Sequence, residues 1–229
     1  MTPTLAEMMD KLNSMANPTN VAGQQRFGIQ GEKMLGISMY DLRALAKGIT
    51  DHELALQLWQ TGVHEARILA GEVDDPQLVT REQMEAWVND FDSWDVVDQV
   101  TDELFIHTAH CLEVLPIWAK REEEFVRRAP FAMIAALVVH RKDIPDETVR
   151  GFFPLIEAAA YDDRNFVWKA VNWALRNIAK WRPALRAEAV ACAKRVLAQD
   201  SKGARKIAND ALREFEKKFG SEYVAAIQG

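Results

Sequence analysis

Apolar residues recur at three- and four-residue intervals along nearly all of this 229-residue chain, and no stretch alternates apolar with polar residues in the two-residue rhythm of a strand. A chain patterned in this way buries its apolar stripes by packing helix on helix, which sets the fold class as all-α. Turn and capping residues divide the pattern: Pro18, Asp51, Asp74-Asp75-Pro76, Thr80 with Gln83 as a capping box, Asp143 to Asp146, Asp162-Asp163, Pro183 and Asp200-Ser201. These intervals predict roughly a dozen helices of about 8 to 20 residues. No Ser/Gly-rich linker interrupts them, so one continuous domain over residues 1–229 is expected.

The segments also resemble one another. Glu124-Phe125-Val126-Arg127-Arg128-Ala129 aligns with Asn165-Phe166-Val167-Trp168-Lys169-Ala170 at an offset of 41, and Asn172-Trp173-Ala174-Leu175-Arg176 aligns with Asn209-Asp210-Ala211-Leu212-Arg213 at an offset of 37. A degenerate period near 40 with two helices per unit reads as a HEAT-like solenoid, in which each helix pair buries its apolar face against its neighbours. Such a stack curves and presents a concave surface. The alignment puts Arg128, Lys169 and Lys206 at matching points, a row of cations suited to a phosphate backbone. The plainer reading of the same row is solvated Lys and Arg on ordinary amphipathic helices.

Charge is divided along the chain. Residues 1–115 carry 7 Lys+Arg against 19 Asp+Glu, net -12, and residues 116–229 carry 21 against 15, net +6. The total of -6 therefore hides a basic end able to track a polyanion. Only Cys111 and Cys192 are present, which excludes a disulfide framework and a four-thiolate zinc site and suits a reducing, cytosolic setting. The first residues lack a basic start followed by an apolar run, and the longest apolar stretch, Pro130 to Val139, is too short to span a bilayer, so a soluble protein with no membrane partner is expected. Phosphate-cradling glycine loops, a Gly-x-Ser-x-Gly elbow and a dinucleotide fingerprint are all missing, so no nucleotide cofactor is expected.

Two clusters carry candidate chemistry. In Phe91-Asp92-Ser93-Trp94-Asp95-Val96-Val97-Asp98, Ser93 is placed to cap a helix, Asp95 lies in its first turn, and Trp94 and Asp98, four apart, share one face while Val96 and Val97 point elsewhere. Asp98 has no capping role there; it either performs chemistry or pairs with an arginine of the next repeat. In the second cluster Lys169, Trp173 and Arg176 fall at i, i+4 and i+7, a face of two cations and an indole that suits a nucleotide, or equally a core tryptophan with snorkelling basic neighbours. His107, His110 and Cys111, on an expected helix, hold at most part of a metal site; with no fourth ligand, packing is the default and no metal is assigned.

At this point the chain resembles a known family, the AlkD-like DNA alkylation-repair glycosylases built from HEAT-like repeats, nearly end to end. The marks are Leu35-Gly36-Ile37-Ser38 with Asp41-Leu42-Arg43, Ser93-Trp94-Asp95-Val96-Val97-Asp98, Val126-Arg127-Arg128-Ala129 and Lys169-Ala170-Val171-Asn172-Trp173-Ala174-Leu175-Arg176. Each is weak alone; the ordered set is specific. The resemblance implies a monofunctional, cofactor-free glycosylase that excises N3-methyladenine and N7-methylguanine from double-stranded DNA. It implies a monomer that is cytoplasmic and nucleoid-associated when bound. Position by position it implies Asp98, Trp94 and Trp173 as catalytic residues and Arg128 as a phosphate contact, beside Lys169, Arg176 and Lys206 on the DNA. Ser93 stands where some relatives have a second tryptophan, and Phe27 and Ser38 where some have Tyr and Gln, departures that bear on substrate range and DNA grip.

Alkylation at N7 or N3 makes the purine cationic and already a good leaving group, so one carboxylate should suffice where ordinary glycoside hydrolysis uses two. The rival class is a HEAT-repeat module that binds DNA structures or a protein groove and performs no chemistry. Its signature would be loss of Asp98 or of a flanking tryptophan, and both tryptophans and the aspartate are retained.

Overall fold

The computed structural model describes residues 2–229, which are 69% helical with no strand among them. The chain forms two compact units, Met1–Leu112 and Glu113–Gly229. The first coincides closely with the acidic half of the sequence and the second with the basic half. The boundary falls in the irregular segment that follows the 3-10 turn Phe105–His107.

The first unit contains α1 (Leu5–Ser14), α2 (Pro18–Arg26), α3 (Met39–Ala46), α4 (His52–Gln60), α5 (His64–Val73), α6 (Arg81–Asn89) and α7 (Trp94–Glu103). Helix starts follow the sequence signals. Pro18 opens α2 behind Asn17, whose side chain accepts from the Thr19 and Asn20 N–H groups, and Asp51 caps α4 through the Leu54 N–H at 2.9 Å. Thr80 caps α6, but Gln83 turns away to Asp74 at 2.7 Å, so only half of the expected capping box forms there. The complete box is Thr4 with Glu7. The core is aromatic: Trp59 and Trp87 stack at 4.0 Å with their planes 2° apart, and Phe91 meets Trp59 edge-on at 6.1 Å.

The second unit contains α8 (Leu115–Trp118), α9 (Glu124–His140), α10 (Asp146–Arg150), α11 (Phe153–Ala159), α12 (Asn165–Trp181), α13 (Arg186–Leu197), α14 (Lys202–Phe219) and α15 (Ser221–Ala226). Four of these, α8, α10, α11 and α15, are shorter than the expected minimum; Pro145 and Gly151 bracket the five residues of α10. The long helices start at Glu124, Asn165 and Lys202, which reproduces the offsets of 41 and 37 and makes α9, α12 and α14 equivalent members of successive repeats. α12 packs between α9 and α14, and α13 packs on both α12 and α14.

Ties between these repeats are regular. The Phe125 and Phe166 rings lie 5.6 Å apart, Asn177 donates to the Ala135 carbonyl at 3.0 Å, and Asn172 donates to Asp210 at 2.6 Å. In the other layer Arg195 pairs with Glu157 at 2.6 Å and Arg150 with Glu188 at 2.7 Å. Buried arginines anchor the connecting loops. Arg127 reaches Asp162 at 3.0 Å and the Tyr161 hydroxyl at 2.8 Å, and Arg182 donates to the carbonyls of Ile144 and Arg141. Guanidinium suits this role because its fixed fork satisfies several acceptors at once. No helix of the described residues is long and apolar enough to cross a membrane.

Candidate nucleic-acid interface

In the first unit α7 is sharply two-sided. Val96, Val97 and Val100 have no exposed surface, while Trp94 and Asp98, one turn apart, occupy the partly exposed side. The Trp94 indole donates to the Phe27 carbonyl at 3.2 Å, and Phe27 itself is 77% exposed. The face that the spacing predicts is therefore present, with an apolar ring standing in solvent beside its first residue.

Ser93 differs from its expected role. It occupies the capping position of α7 without a capping hydrogen bond. Its hydroxyl instead donates to Asp95 Oδ1 at 2.5 Å and accepts the Gln30 N–H at 3.2 Å, inside a site with no exposed surface. Asp95 does lie in the first turn, and its other oxygen takes the His64 Nε2 at 2.8 Å. Burial opposes a charge on His64, but the hydrogen bond and charge of Asp95, helped by Glu65 and Asp92, outweigh it and raise the imidazole pKa above its ordinary value. Burial likewise opposes ionisation of Asp95, and His64 and Ser93 more than offset it, holding the carboxyl below the usual range.

Next to His64, the fully buried Glu65 accepts three backbone N–H groups, those of Leu35 at 2.8 Å, Gly36 at 2.6 Å and Ile37 at 3.3 Å. The Leu35-Gly36-Ile37-Ser38 mark thus has a local physical meaning. Gly36 has φ +77°, and a Cβ there would lie 2.2 Å from the Asn17 carbonyl oxygen. Ser38 caps α3 through the Asp41 N–H at 3.2 Å. Arg43 from the same mark is half exposed and reaches Glu72, Gln99 and Glu103, tying α3 to α5 and α7.

In the second unit Arg128, Lys169 and Lys206 are each the fifth residue of their helices, yet their surroundings differ. Arg128 is only 5% exposed and donates to the Phe166 carbonyl at 2.6 Å, so it is not a solvated surface cation. Lys169 is exposed, and Lys206 is partly buried with its amine 5.2 Å from the centre of the Trp168 ring. Lys169 approaches the same ring at 6.0 Å, so two repeats contribute an amine to one indole. Lys202, Arg205, Lys206 and Arg213 of α14 line the cleft at Trp168. Trp173 and Arg176 lie on the partly exposed side of α12, opposite the buried Ala170, Val171, Ala174 and Leu175. Arg176 is not a bare cation as the spacing suggested: it meets Glu214 at 2.7 Å and Asp210 at 3.3 Å, and both carboxylates come from α14.

The His107, His110 and Cys111 spacing finds no helix to act on. α7 ends at Glu103, His107 closes a 3-10 turn and is exposed, and Cys111 is buried in the irregular segment beyond it. No cluster of potential metal ligands occurs among the described residues. Cys192 is also buried, and burial pushes its thiol far above the ordinary range, away from nucleophilic use. His64 and Glu65 escaped the sequence reading because their partners lie about thirty residues away; the only local signal was two titratable residues opening an apolar helix.

No curated protein matches this chain. Among solved structures it is similar to one described as a new family of proteins related to the HEAT-like repeat DNA glycosylases with affinity for branched DNA structures. The likeness has a TM-score of 0.76 at 19% identity and covers 93% of this chain and 95% of that one, which shows the fold. The family model described as DNA alkylation repair enzyme matches residues 8–220. A match spanning nearly the whole chain, on a helical-repeat fold of this kind, places the protein in the DNA alkylation repair enzyme family.

Proposed function

We propose that this protein is a monofunctional, cofactor-free DNA glycosylase that hydrolyses the N-glycosidic bond of cationic alkylated purines, N3-methyladenine and N7-methylguanine, in duplex DNA. The observation that carries this reading is the two-sided α7, on which Trp94 and Asp98 share the partly exposed side above a buried valine face. Water adds to C1′ as the C1′–N bond breaks. The purine leaves with the bonding electron pair, which cancels its positive charge, so no protein acid is needed. Asp98 stabilises the developing oxocarbenium charge and orients the water, whose proton passes to solvent as the C1′–O bond forms. Trp94, on the same side of α7, offers its negative ring face to that charge.

On this reading Lys169 and Lys206 contact phosphates, while Arg128 acts mainly by holding the start of α12 in place. Arg176 contributes less than the sequence suggests, because two carboxylates already neutralise it. The test is to incubate the purified protein with duplex DNA carrying N7-methylguanine and to measure the released base, with a gel shift alongside. Release above the spontaneous rate supports the reading; binding without release refutes it.

A second reading is favoured by the solved relative, which is described as having affinity for branched DNA structures. In that case the chain binds branched DNA and performs no chemistry. The same gel shift, run with a four-way junction and a plain duplex of equal length, separates the two.

A further inference from the structure

We propose that His64 is a positioning residue for the reaction, holding the first turn of α7, and with it Trp94 and Asp98, through Asp95. The inference rests on the glycosylase reading above and adds a residue to it. His64 opens α5 and is 3% exposed, with its Nε2 2.8 Å from Asp95 Oδ2. Asp95 is the residue after Trp94, and its second oxygen takes the Ser93 hydroxyl at 2.5 Å. Ser93 in turn accepts the Gln30 N–H, and the Trp94 indole donates to Phe27 in the same segment. The whole entry to α7 is thus clamped between α5 and residues 27–30. Ser93 makes no capping hydrogen bond, so the start of α7 is fixed by this side-chain network instead.

The clamp has little freedom. Packing presses α5 against α7 where Gly71 meets Val100: a Cβ on Gly71 would lie 3.2 Å from the Val100 Cα. At the other end of the imidazole, Nδ1 is buried without a partner, and a Cβ on Gly31 would stand 3.3 Å from it. Of the two ring nitrogens, only Nε2 has a hydrogen-bond partner, Asp95. Charged groups facing it are Asp95 on α7, Asp92 in the loop before α7 and Glu65 on its own helix, with Arg67 of α5 standing 3.6 Å from Asp92. Three carboxylates around one buried imidazole favour its protonated form, and a charge-assisted bond holds the turn more firmly than a neutral one.

The test is single-turnover release of N7-methylguanine by the wild type, His64→Gln and His64→Ala between pH 6 and 9, corrected for spontaneous loss, with duplex affinity measured beside it. Glutamine keeps an N–H donor toward Asp95 but cannot titrate. Wild-type release should fall by about tenfold as pH rises through the imidazole titration, the difference between a charge-assisted and a neutral hydrogen bond. The Gln variant should show no such limb, and should release base faster than the Ala variant at pH 7. DNA affinity should stay within about threefold in both, because no phosphate contact is removed. Identical pH profiles for wild type and His64→Gln would overturn the inference while leaving the glycosylase reading intact. Absence of release by the wild type at every pH overturns both.

Discussion

The Glu65 carboxylate, with no surface exposed, accepts the Gly36 N–H at 2.6 Å, and the Leu35 and Ile37 N–H groups complete a three-donor clasp. Glu65→Ala leaves three amide hydrogens without an acceptor, two of them on buried residues, and should cost about 3 kcal/mol or more. Glu65→Gln keeps one acceptor oxygen and should lose less. Urea unfolding at 25 °C measures both; equal stability of Glu65→Ala and wild type would show that the clasp carries no weight.

Gly36→Ala should destabilise by about 2 kcal/mol or more, because it adds a Cβ at positive φ against the Asn17 carbonyl. Gly23 provides the contrast. It sits within α2, where a Cβ would meet nothing within 4 Å, so Gly23→Ala should stabilise by about 0.5–1 kcal/mol through helix propensity. Opposite signs in thermal melts of the two variants are the expected result.

Asp98→Asn should slow base release by about 100- to 1000-fold, the usual effect of removing one preorganised electrostatic partner of a transition state. Duplex affinity should hold. A variant that excises N7-methylguanine at the wild-type rate would remove Asp98 from the mechanism.

Salt dependence should separate cations by their surroundings. Lys206→Ala and Lys169→Ala each remove an amine that stands over the Trp168 ring, and each should lower the slope of log K against log salt by about one. Arg176→Ala should barely change it, since Asp210 and Glu214 already neutralise that guanidinium. Fluorescence anisotropy with labelled duplex between low and moderate salt gives the three slopes, and a larger change for Arg176→Ala than for Lys206→Ala would contradict the assignment.

Stability should vary with pH through the His64–Asp95 pair. Against the opposing effect of burial, the Asp95 bond raises the imidazole pKa in the folded state, so its contribution is fully present below about pH 6.5 and is lost as pH rises through the higher folded value. The carboxyl of Asp95 is shifted down, so its contribution is present above about pH 3.9 and fades as pH falls through the lower folded value. The difference in unfolding free energy between wild type and His64→Gln should therefore be largest between these limits and shrink above pH 7. A difference that stays constant from pH 5 to 9 would exclude the linkage.

How much of this was legible in the sequence depends on how far each determinant reaches along the chain. Helix identity, the caps at Asp51 and Ser201, and the equivalence of α9, α12 and α14 follow from apolar spacing and turn residues, which act over a few positions. The shared face of Trp94 and Asp98 follows for the same reason, because one helical turn sets it. Folding alone decided that Ser93 leaves its capping role for Asp95, that Arg128 is buried against the Phe166 carbonyl, and that Arg176 is neutralised from α14. His64 and Glu65, silent in the sequence, became the clasps of α7 and of residues 35–37. A charge or hydroxyl takes its role from the groups it meets after burial, and those groups lie tens of residues away, where no local pattern records them.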